Sequence, residues 1–290
     1  MSDLQIRATE IRRIAVGLIN GAGSGHPGSC LSAADLIAAL YFGELRTGID
    51  RFVLSKGHAC PALYAALHLR GFYDRAALGS FRRIGGMLQG SPTTHIPGID
   101  ATCGSLGQGF SIAVGMALGY RMSGSARIAT AVTMDVAKTE VSDTSRVYVM
   151  LGDGELQEGQ IWEAAMAAGH YQLANLCAMV DYNKMQSDDL NERVMRLEPL
   201  DAKWRAFNWH VREIDGHDFD AIAAAFAEAR QTRDKPTLIL AHTIKGKGVS
   251  YMEGVPSWHG SVKLKPEEIR QALADLGVPP PGQSEYAFHG

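Results

Sequence analysis

The chain has 290 residues, of which 46% are hydrophobic and 20% are charged, and its formal net charge at pH 7 is −3. This length and composition can bury a full core, which predicts a globular protein of one large domain or two small ones. The scattered Lys and Arg form no basic stripe and no apolar run approaches the ~18 residues that cross a bilayer, so we expect neither a nucleic-acid partner nor membrane association.

The N-terminal stretch predicts an amphipathic helix and not a signal peptide. Apolar residues recur at helical spacing from Leu4 to Ile19 among charges of both signs. We therefore expect a cytoplasmic protein. Cysteines stay reduced in that compartment, and those of this chain form no C-x-x-C pair, so we expect buried thiols at Cys30, Cys60, Cys103 and Cys177.

After a Gly-rich turn, a second helix is expected to begin near Ser32. The Ser32 hydroxyl can cap that helix, and Asp35 would lie in its first turn. Residues 51–55, RFVLS, then predict a short buried strand, which leads through the loop KGHA into a helix over residues 61–72.

Residues 85–109 are rich in Gly, Pro, Ser and Thr, and they form too long a stretch for a plain connector. We therefore expect a binding loop there. Residues 109–122, GFSIAVGMALGYRM, predict a helix of small residues that can pack closely against another helix.

The second half of the chain alternates strand and helix patterns. Residues 146–151 and 175–180 predict central strands of a parallel sheet with a helix over 160–172 between them, and residues 209–243 repeat this order. We expect an α/β fold with a doubly wound, mostly parallel sheet and helices on both faces. It would form one domain over residues 1–275, followed by a Pro-rich tail over 276–290.

Asp153 and Asn183 follow the two predicted central strands. Because parallel strands of a right-handed βαβ unit end at the same edge of the sheet, a carboxylate and an amide oxygen should converge there. With a nearby main-chain carbonyl they suit Mg²⁺, which also takes phosphate oxygens, while Gly152 and Gly154 let the backbone turn and approach a diphosphate. The alternative is structural: GDG is only a turn, and DYN is a strand exit with an Asx turn.

The pairing at this spacing closely resembles the thiamine-diphosphate signature, which runs from GDG to an Asn about thirty residues on. Four further stretches are similar to the transketolase family. They occur in the family's order and span nearly the whole chain: SGHPGS at 24–29, SKGHA at 55–59, PGIDATCGSLGQG at 97–109 and WHG at 258–260.

This resemblance implies thiamine diphosphate and Mg²⁺ as cofactors. The Mg²⁺ ligands would be Asp153, Asn183 and the carbonyl of Met185. The histidines of the matching motifs would line the diphosphate and the substrate channel, where imidazole can bind phosphate and sugar oxygens or move a proton. The implied catalytic residues are His26, His58, His259 and Glu158. The implied cofactor contacts are His58, Gly104, Leu106, Gly152, Asp153, Gly154, Glu155, Asn183, Lys245 and His259.

For several of these residues a second interpretation stays open. Glu158 and Glu163 match acidic residues near the transketolase subunit interface, yet they also suit a helix N-terminus. Lys245 either neutralises phosphate or is a solvated surface charge. We expect His217 and the helix cap Asp218 to be structural. Packing roles are expected for His68, His170 and His210.

Thiamine chemistry also requires an acidic side chain on the pyrimidine ring. In transketolases this Glu comes from a second, pyrimidine-binding domain, whereas this sequence stops at Gly290. We therefore expect a transketolase split into two polypeptides. A separate C-terminal subunit would supply the Glu in an α2β2 assembly, and this chain would be inactive alone.

The sequence departs from the family pattern at three places. Ser91 replaces a substrate-contacting His in GSP, and His95, four residues on, could compensate for it, so the donor ketose could differ from the usual one. Residues 125–145 are longer than the usual link between helix and strand, which suggests an added hairpin or interface loop. The segment GELRTGID before the first strand is short for the family.

The leading hypothesis is a transketolase-like subunit that moves a two-carbon ketol unit from a ketose to an aldehyde. One alternative is the α subunit of a 2-oxo acid dehydrogenase or decarboxylase, which also carries GDG and Asn but lacks the other motifs. Another is a non-catalytic subunit that keeps the cofactor site as a scaffold.

Overall fold

A five-stranded sheet forms the centre of the protein. The computed structural model describes residues 1–123, 145–187, 189–260 and 262–278. The strands are β1 (Arg51–Leu54), β2 (Val147–Gly152), β3 (Leu176–Tyr182), β4 (His210–Asp215) and β5 (Thr237–His242). Their order across the sheet is β1-β2-β3-β5-β4, and every neighbouring pair is parallel. The predicted strand segments are all confirmed.

Ten α-helices and several short 3₁₀ or π turns connect the strands in the described residues. The helices are α1 (Asp3–Ala22), α2 (Pro27–Ala39), α3 (Cys60–Leu69), α4 (Arg75–Leu78), α5 (Gln108–Ser123), α6 (Gly159–His170), α7 (Asn191–Val194), α8 (Leu200–Ala206), α9 (Phe219–Gln231) and α10 (Pro266–Asp275).

Helices cover both faces of the sheet, which explains why the central strands are almost entirely apolar. Successive side chains of β2 point to opposite faces. Tyr148 and Met150 pack with α1, α2, α3 and α9, whereas Val147, Val149 and Leu151 pack with α5, α6 and α8. Two apolar cores therefore sandwich one parallel sheet, and the expected doubly wound α/β architecture is confirmed.

The expected start of the second helix was wrong. Helix α2 begins at Pro27, and its N-cap is His26. The fixed φ of proline and its missing N–H suit the first turn of a helix, and this signal outweighs the capping hydroxyl downstream. Ser32 instead lies buried inside α2 and donates to Asp181 Oδ2 at 2.6 Å, while Asp35 is buried against Arg12.

Strands β2 and β3 are neighbours in the register that the βαβ pattern predicts. Gly152 at the end of β2 is the partner of Asp181 near the end of β3. Asp153 and Asn183 therefore follow adjacent strands at one edge of the sheet.

The remaining expectations concern the cysteines, membrane association, the long link and the Pro-rich tail. All four cysteines are free and buried, as expected. No helix among the described residues is long and apolar enough to cross a membrane. Residues 124–144, which hold nearly all of the long link, and residues 279–290 of the Pro-rich tail lie outside the described residues.

Candidate active site

A narrow cleft at the carboxyl edge of the sheet gathers most of the predicted site residues. It is lined by Ser29, Lys56, His58, Leu106, Gly152, Asp153, Gly154, Glu155, Asn183, Met185, Gln186, Ser187, Lys245 and His259. These residues come from the loops after β1, β2, β3 and β5, from the first turn of α2, from the loop before α5 and from the segment before α10. Ligands of open α/β sheets bind at this edge.

A larger cavity, of about 830 Å³, lies near the amino ends of the strands. Arginines line it, but two of them already bind carboxylates, since Arg46 pairs with Asp50 and Arg230 with Glu44. The chemistry expected from the sequence is absent from its described lining, so we place the candidate active site in the smaller cleft.

Asp153 and Asn183 converge in this cleft. Asp153 is 2% exposed, and its carboxylate accepts hydrogen bonds from the Gly154 N–H at 2.8 Å and from the Lys184 N–H. The Asn183 amide oxygen accepts the Met185 N–H at 3.2 Å. Burial raises the pKa of Asp153 to about 6, opposed by the positive charge of Lys245. A buried carboxylate of this kind is stabilised by a nearby cation.

The donor set fits a hard cation with a phosphorylated ligand. Among the described residues, no group of three or more His, Cys, Asp or Glu side chains is placed to hold a metal ion. The cleft instead offers one carboxylate, one amide oxygen and the Met185 carbonyl, and Mg²⁺ commonly uses few protein oxygens together with phosphates and water. Gln186 Nε2, a buried donor beside this set, has no hydrogen-bond partner in the described structure.

Gly154 is required here for space and not for an unusual backbone angle. Neither Gly152 nor Gly154 has a positive φ, so the turn that follows β2 does not use the left-handed conformation that glycine favours. A Cβ on Gly154 would lie 2.9 Å from the Cβ of Gln186, whereas one on Gly152 would meet nothing closer than 3.6 Å. The close packing of the loops after β2 and β3 therefore depends on Gly154.

Lys245 is buried in the cleft, so the interpretation of a solvated charge is wrong. It is 1% exposed, and its Nζ donates to the Met185 carbonyl at 3.3 Å and to His259 Nδ1. Burial lowers the pKa of Lys245 to about 8, and the Asp153 charge opposes this shift. Its aliphatic stem packs on Gly28, where a Cβ would lie 2.9 Å from Lys245 Cγ. A positive charge therefore faces the proposed metal ligands.

A buried ion pair between Lys56 and Asp181 lies at the cleft, and it was not expected from the sequence. Lys56 is 1% exposed and binds Asp181, which is fully buried. Lys56 Nζ also donates to the Ser29 carbonyl at 3.2 Å, and Asp181 accepts from the hydroxyls of Ser32 and Thr243. The available signal was Asp181 itself, because a carboxylate inside a buried strand needs a partner.

Three predicted histidines meet at the cleft. The ring centroids are 5.1 Å apart for His26 and His58, 5.4 Å for His58 and His259, and 6.4 Å for His26 and His259. Burial lowers the pKa of His26 to about 4, that of His259 to about 3, and that of His58 well below its ordinary value. Nearby positive charges are a second and smaller cause of these shifts. All three rings are therefore neutral near pH 7.

Glu155 binds protein groups with both carboxylate oxygens. Its Oε1 accepts from Ser55 Oγ at 2.5 Å and from the Gly107 N–H at 2.8 Å, and its Oε2 accepts from the Gly152 N–H at 3.0 Å. Burial raises the pKa of this carboxyl group. Glu155 thus fixes the loop that carries Leu106, which lines the cleft.

Gly104 lies outside the described lining of the cleft. It is exposed, and a Cβ there would lie 3.4 Å from Ser91 Oγ. Ser91 is half-buried, and its carbonyl accepts from the Tyr64 hydroxyl at 3.0 Å, while His95 is exposed.

The acidic residues of α6 lie on the surface. Glu158 is the N-cap residue but makes no side-chain capping bond, and both Glu158 and Glu163 are exposed. Neither lines the cleft.

The remaining histidines have structural surroundings. His68 contacts the Tyr73 carbonyl at 3.0 Å, His210 contacts Glu228 at 2.9 Å, and the His170 ring lies against Tyr171. Asp218 caps α9 by accepting from the Asp220 and Ala221 N–H groups, as expected. His217 lies between α2 and the loop after β5.

Comparison with known proteins identifies close relatives. The family described as "Transketolase, thiamine diphosphate binding domain" matches residues 4–286. A 6-deoxy-6-sulfo-D-fructose transketolase subunit from Clostridium sp. (strain MSTE9) is 46% identical, with 94% of this chain and 96% of the relative covered. One of the subunits of apulose-4-phosphate transketolase from Phocaeicola vulgatus is 39% identical, with 94% and 93% covered.

Longer transketolases match over less than half of their length. Human transketolase is 38% identical, with 93% of this chain but 42% of the human protein covered. The structure of transketolase from Leishmania mexicana superposes with a TM-score of 0.85 at 30% identity, covering 99% of this chain and 44% of that one. The Campylobacter jejuni transketolase gives the same TM-score and identity, with 100% and 44% covered.

Proposed function

This chain belongs to the transketolase family, and we propose that its cleft holds the diphosphate half of thiamine diphosphate through Mg²⁺. It is the N-terminal subunit of a two-chain, thiamine-diphosphate-dependent transferase. The enzyme moves a two-carbon ketol unit from a ketose to an aldehyde. One observation supports the placement above all: Asp153 and Asn183, from adjacent strands, line one cleft with the Met185 carbonyl and Lys245.

The proposed metal ligands are Asp153, Asn183 and the carbonyl of Met185. Lys245 places a positive charge beside the diphosphate, and Gln186 Nε2 offers an unused donor. Gly154 lets the loops after β2 and β3 pack closely around this site. When bound, thiamine diphosphate supplies the nucleophilic carbon and the electron sink that carbon–carbon cleavage needs.

The neutral histidines orient the sugar and move protons. A neutral imidazole can accept a proton from a sugar hydroxyl and can also donate through its other nitrogen. His58 Nε2 lies 3.2 Å from Ser29 Oγ, and His259 Nδ1 accepts from Lys245, which leaves its Nε2–H as a donor. We assign His26, His58 and His259 to the substrate side of the cleft.

We propose an α2β2 assembly in which a separate C-terminal subunit completes the site. That subunit would bring the pyrimidine-binding domain and the acidic side chain that activates the cofactor. Two relatives named as subunits match this chain over more than nine-tenths of their length, which supports a partner chain. The exposed Glu158 and Glu163 are placed where such a chain could reach them.

We propose an anionic ketose as the donor. The two relatives named as subunits carry, in their names, a sulfonated and a phosphorylated sugar. Ser91 in place of the family histidine also supports a donor other than the usual one. The first ketose to test is 6-deoxy-6-sulfo-D-fructose, with an aldose phosphate as acceptor.

Reconstitution tests this function. The two subunits would be purified separately and assayed, first individually and then mixed, for two-carbon transfer with thiamine diphosphate and Mg²⁺. We expect transfer only in the mixture. Transfer by this chain without its partner would refute the two-chain proposal, and release of CO₂ from 2-oxo acids by the mixture, without ketol transfer, would favour a 2-oxo acid decarboxylase.

A further inference from the structure

The loop that carries Lys245 into the cleft is held on both sides by hydrogen bonds. On one side, the Gly246 N–H donates to the Gly28 carbonyl at 3.1 Å, and the Lys245 carbonyl accepts the Gly254 N–H at 2.9 Å. On the other side, the Ile244 N–H donates to His217 Nε2 at 2.8 Å. The first two bonds are made by backbone groups, whereas the third depends on a side chain from the loop after β4.

The bonds of His217 define its tautomer. Because Nε2 accepts the Ile244 N–H, this nitrogen carries no proton, and the proton of the neutral ring is on Nδ1. Nδ1 lies 2.6 Å from Asp35 Oδ2 and donates to it. The ring therefore joins a carboxylate of α2 to the backbone beside Lys245.

Asp35 is itself held rigidly. Arg12 of α1 binds both of its oxygens, with Nη1–Oδ1 at 2.9 Å and Nη2–Oδ2 at 2.5 Å, and Arg12 Nε donates to the Leu31 carbonyl at 3.2 Å. The Arg12 and Asp35 side chains are 8% and 7% exposed. Burial alone would raise the pKa of Asp35, but the His217 hydrogen bond and the Arg12 guanidinium hold it below its ordinary value.

Three side chains thus connect the two N-terminal helices with the Lys245 loop. Hydrogen bonds of this outer kind commonly orient the groups that touch a metal or cofactor. Here the series of contacts from Arg12 through Asp35 and His217 ends one residue from Lys245, whose Nζ reaches both the Met185 carbonyl and a ring nitrogen of His259.

We propose that His217, oriented by Asp35 and Arg12, is a positioning residue that sets the place of Lys245 against the cofactor diphosphate. This inference rests on the proposed function, because it takes Lys245 as a diphosphate contact. His217 acts through the Ile244 backbone and touches neither substrate nor cofactor.

Two substitutions separate the contacts of His217. His217→Asn keeps a short amide that can donate to Asp35 but cannot reach the Ile244 N–H. His217→Gln carries an amide oxygen far enough out to accept from Ile244. We expect His217→Asn to weaken thiamine-diphosphate binding by ~10-fold and His217→Gln to restore much of that loss.

His210 provides a matched control at the other end of β4. Its ring is half-buried and paired with a carboxylate, Glu228, at 2.9 Å, yet it is remote from the Lys245 loop. We expect His210→Asn to change the Tm about as much as His217→Asn does. Unlike His217→Asn, it should leave the Kd for thiamine diphosphate unchanged.

The measurement is calorimetric titration of the assembled two-chain enzyme with thiamine diphosphate in excess Mg²⁺. Lys245→Met and the double variant His217→Asn/Lys245→Met complete a cycle, in which we expect the two substitutions to be strongly non-additive. If Lys245→Met leaves the Kd unchanged, the cofactor assignment of Lys245 fails. If Lys245→Met weakens binding but His217→Asn does not, or the two effects simply add, the positioning role is overturned.

Discussion

The three histidines of the cleft share surroundings that keep their rings neutral. The free energy of unfolding should therefore depend on pH in the acid range. Unfolded His has a pKa of about 6.5, whereas the folded values are about 4 for His26 and about 3 for His259. Below pH 6.5 the unfolded chain therefore binds protons that the folded chain does not. The free energy of unfolding should fall as the pH falls through this window.

Variants isolate this effect from that of the carboxylates. Asp153, whose pKa is raised to about 6, contributes a slope of the opposite sign. We expect the variant His26→Asn/His259→Asn to lose less stability than the wild type between pH 7 and pH 5, measured by urea unfolding. Parallel curves for the two proteins would contradict the neutral state of these rings.

Lys56 and Asp181 should behave as one buried unit. Lys56→Met leaves the Asp181 carboxylate without its partner, and we expect a loss of ~3–5 kcal/mol in the free energy of unfolding. Adding Asp181→Asn should recover a large part of that loss. As a control, Arg193→Met breaks an ion pair with Asp189 in which the side chains are 67% and 37% exposed, so we expect a much smaller change in the free energy of unfolding. Equal losses at the two sites would contradict this account.

Residues that belong to a motif could be predicted from the sequence, whereas residues whose surroundings depend on tertiary packing could not. Asp153, Asn183 and the three histidines come together as the motifs imply. The burial of Lys245 and the partner of Asp181 arise from loops after different strands, and no local pattern joins them. Glu155 lines the cleft where the cofactor is expected, and its bonds to Ser55, Gly107 and Gly152 are packing details that no motif states.

Helix α5 offers a test at the scale of an element. Its first turn packs tightly, since a Cβ on Gly109 would lie 2.7 Å from the Cα of Ser55 and 2.9 Å from Cys103 Sγ. A Cβ on Gly115, in the middle of the same helix, meets nothing within 4 Å. We expect Gly109→Ala to destabilise the chain by ~1–3 kcal/mol through overpacking.

Gly115→Ala should have the opposite sign. Glycine inside a helix costs ~0.5–1 kcal/mol relative to alanine, and here the new methyl group has space. Thermal unfolding of this chain by itself would compare the two variants without any contribution from a partner. If both substitutions lower the Tm equally, the packing of α5 differs from this description.

Among the elements, β1, β2, β3 and β5 were predictable because burial on both faces makes them mainly apolar runs between turn residues. The edge strand β4 is partly exposed and carries charged residues, and it was predicted from its place in the repeated strand–helix order. The start of α2 was not, because Ser32 and Asp35 carry the signature of a helix cap but are used in tertiary contacts. Pro27 was the better local indicator of the helix start. The sequence does not show this, because the Ser32 hydroxyl is excluded as a cap only by its hydrogen bond to Asp181 on another element.

In the whole molecule, one edge of the sheet is proposed to bind half of a cofactor, and a second chain is proposed to complete the site. The parallel order of the strands brings the loops after β2 and β3 together, and the loops after β1 and β5 add Lys56 and Lys245. Charges of both signs thus meet in one cleft that suits a metal-bound diphosphate.

The proposed metal-bound diphosphate is tested by calorimetric titration of the assembled enzyme with thiamine diphosphate, in Mg²⁺ and then in EDTA. We expect removal of Mg²⁺ to weaken binding at least ~10-fold, and Asp153→Ala to bind equally weakly whether or not Mg²⁺ is present. Wild-type affinity that is unchanged by EDTA, or an Asp153→Ala variant that still gains from Mg²⁺ as the wild type does, would contradict the account.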